Sequence, residues 1–503
     1  MLWVRTTLLG LLSTAPVYAG NWPTTQWETS SPEAQGVDAR DLADAITYIR
    51  VKHLPIHSLL VVRHGVVVLD AYFYPYDQHS LHDIASVTKS VTSILTGIAI
   101  DGGYLRDVDQ PILSLIPGHA QDAIDASKSK ITIGNLLTMT SGLKCGALGG
   151  IETAETELAE MRRSADWISY AVNLPMRSDP GTQFAYCSIN NHLLSAIITA
   201  QTGEGLQSFA QRNLFSPLGI HDVFWPTDPT GLNHGWADLH MHPQDMAKLG
   251  YLYLRNGKWE DQQIVSAQWV RQSVSSHVTV RPGIGYGYGW WINLDRDPQI
   301  PEAEGRGGQR ISIVPDKDAV VVFTSGGANT DEIAPYLLRA LRSNIALPQN
   351  AKADEALNLS IKAANQPPKP LRVGQLPAIA RAVSGREYIL EPNPIDLRSI
   401  ILNFPNGDNA QVSMRFDGQA WTGAIGLDGV YRFSPHGYED LPMAMRGYWK
   451  ADNEFSLDVD LVQNITHLFI TLRYFNNGAQ VVFADSTASV PSFNVAAHVI
   501  DTR

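Results

Sequence analysis

Between residues 57 and 73 the chain carries two apolar runs, Leu59 to Val62 and Val66 to Leu69, broken by Arg63-His64-Gly65. That spacing predicts a β-hairpin. From Ser86 the period changes to a helical one, with Val87, Val91, Ile94, Leu95 and Ile98 on one stripe and Gly102-Gly103 as the stop. Helical patterns recur over 132–139, 165–173, 191–202, 206–215 and 243–255. Strand-like runs return over 288–293, 310–315 and 319–324, and 328–347 reads as a closing helix packed on the sheet. Strands at both ends with helices between them predict one α+β domain whose sheet is completed by its first and last segments.

The pattern then changes in kind. Residues 349–370 turn polar and end in Pro367-Pro368-Lys369-Pro370, which predicts a stiff linker. Beyond it, 386–390, 399–404, 411–416, 455–461, 467–474 and 480–484 are short alternating runs divided by Gly, Asn and Pro turns, with Asn477-Gly478 the clearest hairpin signal. Residues 373–503 are therefore expected to form a separate all-β domain, a barrel or a sandwich, which bears no chemical constellation and is expected to shield or narrow a cleft. At the other end, Arg5, an apolar run over 6–14, Pro16 and Val17-Tyr18-Ala19 before Gly20 read as a cleaved export signal. The expected plan is a signal at 1–19, a main domain at 20–347, a linker at 348–372 and the β domain at 373–503. The expected location is periplasmic or secreted, in an oxidising compartment. No later run of about 18 apolar residues predicts a membrane span.

Composition narrows the partners. Of 503 residues, 38 are Lys or Arg and 50 are Asp or Glu, a net charge of −12 with no basic run, so nucleic acid is not an expected partner. At 44% hydrophobic and 17% charged, the chain has the balance of an ordinary globular protein. Two cysteines, Cys145 and Cys187, exclude a cysteine-rich scaffold and permit one bridge. The 15 histidines show no HExxH or similar spacing, so neither a metal nor another cofactor is expected.

Three short motifs carry candidate chemistry. Ser86-Val87-Thr88-Lys89 stands where a strand-like run gives way to the apolar helix. A three-residue spacing stacks the two side chains on one helix face, and a desolvated lysine amine can take the proton of a serine hydroxyl. The helix N-terminus adds N–H donors for a developing oxyanion. Ser127-Lys128-Ser129-Lys130 has the same spacing in a charged loop with no apolar helix behind it. Tyr186-Cys187-Ser188, between Pro180-Gly181 and a helical run, offers a proton acceptor and a hydroxyl donor, although a core tyrosine at a helix start fits the same pattern. Gly305-Arg306-Gly307-Gly308-Gln309 leads into a strand, where glycines mark either a plain turn or a close approach of backbone or ligand.

In this order the motifs resemble one active site. The chain is similar, over about 27–347, to the serine β-lactamase and penicillin-recognising superfamily, in particular the class C β-lactamase-like branch of esterases, D-amino-acid peptidases and amide-oligomer hydrolases. The matching segments are Asp83-Ile84-Ala85-Ser86-Val87-Thr88-Lys89-Ser90, Leu136-Leu137-Thr138-Met139-Thr140-Ser141-Gly142-Leu143, Pro180-Gly181-Thr182-Gln183-Phe184-Ala185-Tyr186 and Gly305-Arg306-Gly307-Gly308-Gln309. The resemblance implies a five-stranded antiparallel sheet flanked by helices, Ser86 as acylated nucleophile, Lys89 as proton shuttle and Tyr186 as base. It further implies an oxyanion hole from the backbone N–H groups of Ser86 and Gln309, with Ser188, Arg306, Gly307 and Gly308 binding substrate.

Two positions depart from the family pattern. Ser188 stands where an Asn is usual and offers no amide. Arg306 stands where Lys or His is usual; it stays protonated, so it holds a carboxylate instead of relaying a proton. Both point toward small carboxylic esters or amides as substrate, with a β-lactamase, a D-stereospecific peptidase and a non-catalytic penicillin-recognising binding protein as the alternatives. If the fold is the family's, Cys145 and Cys187 border one cleft and are expected to pair, and the aromatic segments 235–241 and 287–291 are candidates for an acyl pocket.

Overall fold

All eight residues of Ile56–Arg63 (β1) are buried, and its apolar run Leu59 to Val62 suits a strand covered on both faces. Val66–Tyr72 (β2) pairs with it antiparallel. The turn between them places His64 and Gly65 at φ 51° and 81°, the left-handed geometry that a two-residue hairpin requires. The computed structural model describes residues 22–503 except 117, 119–125, 149–155, 406, 417, 438–440, 476–477, 488–491 and 500–503. The expected export signal and Asn477 of the expected hairpin turn lie outside the described residues.

The remaining strands of this sheet are Val278–Arg281 (β3), Ile284–Tyr286 (β4), Trp291–Asn293 (β5), Ile300–Gly305 (β6), Gln309–Val314 (β7) and Ala319–Ser325 (β8). Among the described residues the order is β2-β1-β8-β7-β6-β5-β4-β3, antiparallel throughout. The helices that position the site and the barrel are Ala39–Val51 (α1), Val87–Asp101 (α2), Ile189–Thr202 (α3), Pro243–Leu254 (α4), Ala334–Ala340 (α5) and Ala351–Asn365 (α6). Period-2 alternation sends Leu60, Val62, Val320 and Val322 to the core shared with α2, α3 and α4. Leu59, Val61, Val321 and Phe323 go to the opposite core, against α1, α5 and α6.

The structure corrects several boundaries. The closing helix expected over 328–347 is only α5: Pro335 sits in its first turn, and Leu341 then bridges to Val37 while Arg342 N donates to Gly36 O. The strand expected over 288–293 begins at Trp291, since Gly289 at φ 77° breaks it. The segment expected as a stiff linker over 348–372 holds α6, capped by Asn350, with Ala353, Leu357 and Ala364 buried in the α1-side core. Its exposed polar face hides this apolar stripe from a composition reading.

The C-terminal strands are Glu387–Leu390 (β9), Leu397–Asn403 (β10), Asn409–Phe416 (β11), Gln419–Gly426 (β12), Arg432–Ser434 (β13), Met443–Ala451 (β14), Glu454–Leu461 (β15), His467–Phe475 (β16), Gly478–Asp485 (β17) and Phe493–Val499 (β18). They pair as β12-β11-β10-β9-β18-β17-β16-β15-β14, with β13 appended to β14, and Gly426 on β12 pairs with Arg446 on β14 to close a nine-strand barrel. A barrel, not a sandwich, follows because closure removes the two sheet edges. The barrel meets the first domain through Tyr76 Oη, which donates to Asp460 Oδ1 at 2.5 Å, and through Tyr431 N, which donates to Tyr74 Oη at 3.1 Å.

Candidate active site

Ser86 occupies the N-cap position of α2. The chain reaches it through Ala85, a non-glycine residue at φ 46°, a sparsely populated conformation of the kind that persists where surroundings over-determine it. Asp83 provides that restraint: its Oδ1 accepts the Ala85 N–H at 2.7 Å. Desolvation by burial pushes the Asp83 carboxyl up to about 6. One turn into the helix, Lys89 Nζ donates to Ser86 Oγ at 2.8 Å and to the Trp236 carbonyl at 3.1 Å, and the residue is 1% exposed. Ser90 Oγ donates to Gly289 O at 2.6 Å, which fixes the same turn of helix against the loop before β5.

Tyr186 faces this pair. Lys89 Nζ lies 4.8 Å from its ring centroid, and the indole of Trp291 stacks on the other side at 5.7 Å and 22°. Its segment, Ala185–Tyr186, is a two-residue strand paired with Ala147–Leu148. Cys187 next to it is bonded to Cys145. Between the bridge and the ladder, Gly146 at φ 63° comes so near that a Cβ there would stand 1.8 Å from Tyr186 O. The tyrosine is thus held by a covalent bond, a ladder and a stacked indole. A buried amine against a serine hydroxyl, with a phenol beside both, can move a proton off the hydroxyl and return it to a leaving group.

The glycine turn behaves differently from expectation. Gly307 and Gly308, at φ 83° and 90°, make the turn from β6 to β7. Gly305 makes the close approach: a Cβ there would meet Ile84 O at 2.5 Å and Ala85 Cβ at 3.1 Å. Gln309, expected to lend its N–H to the oxyanion hole, is 0% exposed. Its side chain staples the turn to β8, donating to Arg306 O at 3.1 Å and Ser325 O at 2.5 Å and accepting from Ser325 N at 3.0 Å. The side chain is spent on this staple. Ser188, expected to touch substrate, is buried at the N-cap of α3, two residues beyond Tyr186. Arg306 is exposed, but Nη1 donates to Thr487 Oγ1 of the barrel at 3.3 Å. Gly307 faces Ile465 and Gly308 faces Ala328 and Ser325. Arg306 and Gly307 thus touch the barrel, whereas the neighbours of Gly308 belong to the hydrolase domain.

The structure therefore brings Ser86, Lys89 and Tyr186 together, with Gln309 and Ser188 buried and Arg306 and Gly307 against the barrel. Ser127 and Lys128 lie elsewhere, with Lys128 Nζ on Val172 O. Of the two aromatic segments, Trp236 contributes its carbonyl and Trp291 its stacked ring. Among the described residues no group of three His, Cys, Asp or Glu could hold a metal ion.

Comparison with known proteins agrees with this geometry. The family model described as Beta-lactamase matches residues 46–343. The 6-aminohexanoate-dimer hydrolase of Paenarthrobacter ureafaciens is 25% identical over 298 residues, covering 54% of this chain and 73% of that protein. Esterase EstB of Burkholderia gladioli is 27% identical over 218 residues, covering 38% and 53%. Among solved structures, EstCE1, a hydrolase with promiscuous acyltransferase activity, superposes with a TM-score of 0.50 at 17% identity, covering 61% of this chain and 99% of that one. The last is a likeness of fold. With the family model spanning more than half of its length, the chain belongs to the Beta-lactamase family of serine hydrolases.

Proposed function

We propose that the protein is an exported hydrolase that forms an acyl-enzyme on Ser86 from a small carboxylic ester or amide. The observation that carries this reading is the 2.8 Å contact from buried Lys89 Nζ to Ser86 Oγ beneath the Tyr186 ring. Lys89 takes the hydroxyl proton as Ser86 attacks the carbonyl carbon. Tyr186 delivers a proton to the leaving alcohol or amine, then takes one from the water that releases the acid. The Ser86 N–H at the start of α2 is one oxyanion donor.

Esters rank ahead of β-lactams because the buried Ser188 gives an acylamino side chain no amide to bind. Export is supported by the Cys145–Cys187 bond, since such bonds persist in oxidising compartments. A fluorophosphonate probe should label the wild type and not Ser86→Ala; equal labelling overturns the assignment. In a panel of p-nitrophenyl esters and nitrocefin, faster turnover of the cephalosporin would reverse the substrate order. Fractionation with N-terminal sequencing tests for a mature start near Gly20.

A further inference from the structure

A cavity of about 480 Å³ runs from one end of the barrel to the hydrolase domain. Folded interiors leave few voids larger than a water molecule, and this volume is within the range of small-molecule pockets. On the barrel side its wall is apolar: Leu397, Met414, Trp421, Leu468, Ile470 and Phe483. The far end is plugged by packed rings, Tyr388 on Tyr474, Phe404 on Trp449 and Phe455, and Trp449 on Tyr474, with centroids 5.0 to 6.0 Å apart. The cavity is therefore a blind apolar tube that opens toward the first domain.

Its rim is charged. Asp83 and Asp238 border it, but Asp83 is 4% exposed and engaged by the Ala85 N–H, and Asp238 Oδ2 is 2.7 Å from His234 Nδ1. The exposed charged side chains of the rim are the guanidiniums of Arg162, whose charge also acts on Asp238, and Arg306, whose Nη1 donates to Thr487 Oγ1 and whose charge acts on Asp83. Phe224, also on the rim, is 47% exposed, an apolar surface at the entrance. The ring Nε2 atoms of His234 and His240, which border the cavity, have no hydrogen-bond partner among the described residues. A blind apolar tube with cationic side chains at its open end matches a linear molecule with one apolar and one anionic end.

We infer that the barrel cavity is a second ligand site, for an amphipathic carboxylate of the fatty-acid type, its hydrocarbon tail inside the barrel and its carboxylate at Arg162 and Arg306. This site is separate from Ser86, which does not line the cavity. Its occupancy is independent of whether Ser86 turns over a substrate, so the two readings fail separately.

Titration calorimetry of the full chain with dodecanoate tests it, with the melting temperature of each variant reporting its folding. The wild type should bind one dodecanoate per chain. Ile470→Trp fills the tube and should abolish binding, with Leu468→Phe as the milder filler if the first variant does not fold. Arg162→Ala should weaken dodecanoate about tenfold, the scale of one charge-assisted contact. Dodecanol should bind more weakly than dodecanoate and be indifferent to Arg162→Ala, and dodecylamine should bind weakest. Absence of binding to the wild type, or unchanged binding to a folded tube-filling variant, would overturn the site. Unchanged affinity in Arg162→Ala, or tighter binding of the amine, would overturn the carboxylate assignment.

Discussion

The backbone N–H of Asp83 donates to the carbonyl of Gln463 at 3.0 Å, so the β15–β16 turn of the barrel is hydrogen-bonded three residues ahead of Ser86. Ile465 in the same turn fills the space that a Cβ on Gly307 would take. The barrel therefore braces both segments that flank Ser86. Ile465→Asp places a charge in that contact and should lower kcat on p-nitrophenyl acetate at least about tenfold while the far-UV spectrum is kept. An unchanged kcat in the folded variant would show that the brace has no catalytic consequence.

Gly305 tolerates no side chain where it passes Ile84 O at 2.5 Å from the ideal Cβ position. The clash is with backbone, so Gly305→Ala must shift the Ala85-Ser86 turn or β6. It should cost about 1–3 kcal/mol of stability and a larger factor in kcat/KM than in KM. Steady-state kinetics beside a melting curve separate the two effects.

Removal of the Tyr186 hydroxyl should leave binding and fold in place, because the ring keeps its stack on Trp291. Tyr186→Phe is expected to lower kcat about 10²- to 10⁴-fold, the usual worth of a general acid or base, with little change in KM. Retention of more than a tenth of wild-type kcat would remove Tyr186 from the proton path.

The Cys145–Cys187 bond closes a loop of sequence separation 42, which by chain entropy contributes about 4 kcal/mol. Dithiothreitol, or the double variant Cys145→Ser with Cys187→Ser, should lower Tm and also depress kcat, since the bond anchors the residue next to Tyr186. A fall in Tm with kcat unchanged at low temperature would confine the bond to stability.

His82, whose Nε2 lies 2.7 Å from His57 Nδ1, is held down to about 4 by burial. In the unfolded chain an imidazole titrates near 6.5. Between those values the unfolded chain takes up the proton and the folded one does not, so this histidine's contribution to stability is lost as pH falls from about 6.5 toward 4. Burial of Asp83 and Asp460, each pushed up to about 6, acts in the opposite sense over about 4 to 6. The difference isolates the histidine: His82→Gln should lose less Tm than the wild type between about pH 7 and pH 4.5. Parallel curves would exclude it as the titrating group.

The β1–β2 hairpin was legible from two apolar runs split by a turn, α2 from its apolar stripe and the C-terminal strands from alternation between turn residues. The strands β3, β4 and β6 were not legible, and β5 only with its start misplaced: Pro301 in β6, the three- to four-residue lengths of the others and the glycines between them leave too few positions for a period to show. Barrel closure was equally hidden, since it depends on Gly426 meeting Arg446 across the molecule. At the site, Ser86, Lys89 and Tyr186 were marked by spacing and local context. The side-chain staple from Gln309 to Ser325 was not legible, since it arises only when β7 and β8 pair.

Because α6 is sewn into the first domain's core through Ala353, Leu357 and Ala364, the connection between the two domains is no leash of 25 residues. The tether is the short stretch after Asn365, since Leu371 N already donates to Asp428 O of the barrel at 2.8 Å, ahead of the barrel's first helix, Ala378–Val383. For protein engineering this sets where the chain tolerates surgery. A protease site or an inserted domain is expected to be accepted at about Lys369 and rejected within α6, and a barrel from a relative has to be grafted after Pro370, keeping α6 with the hydrolase domain.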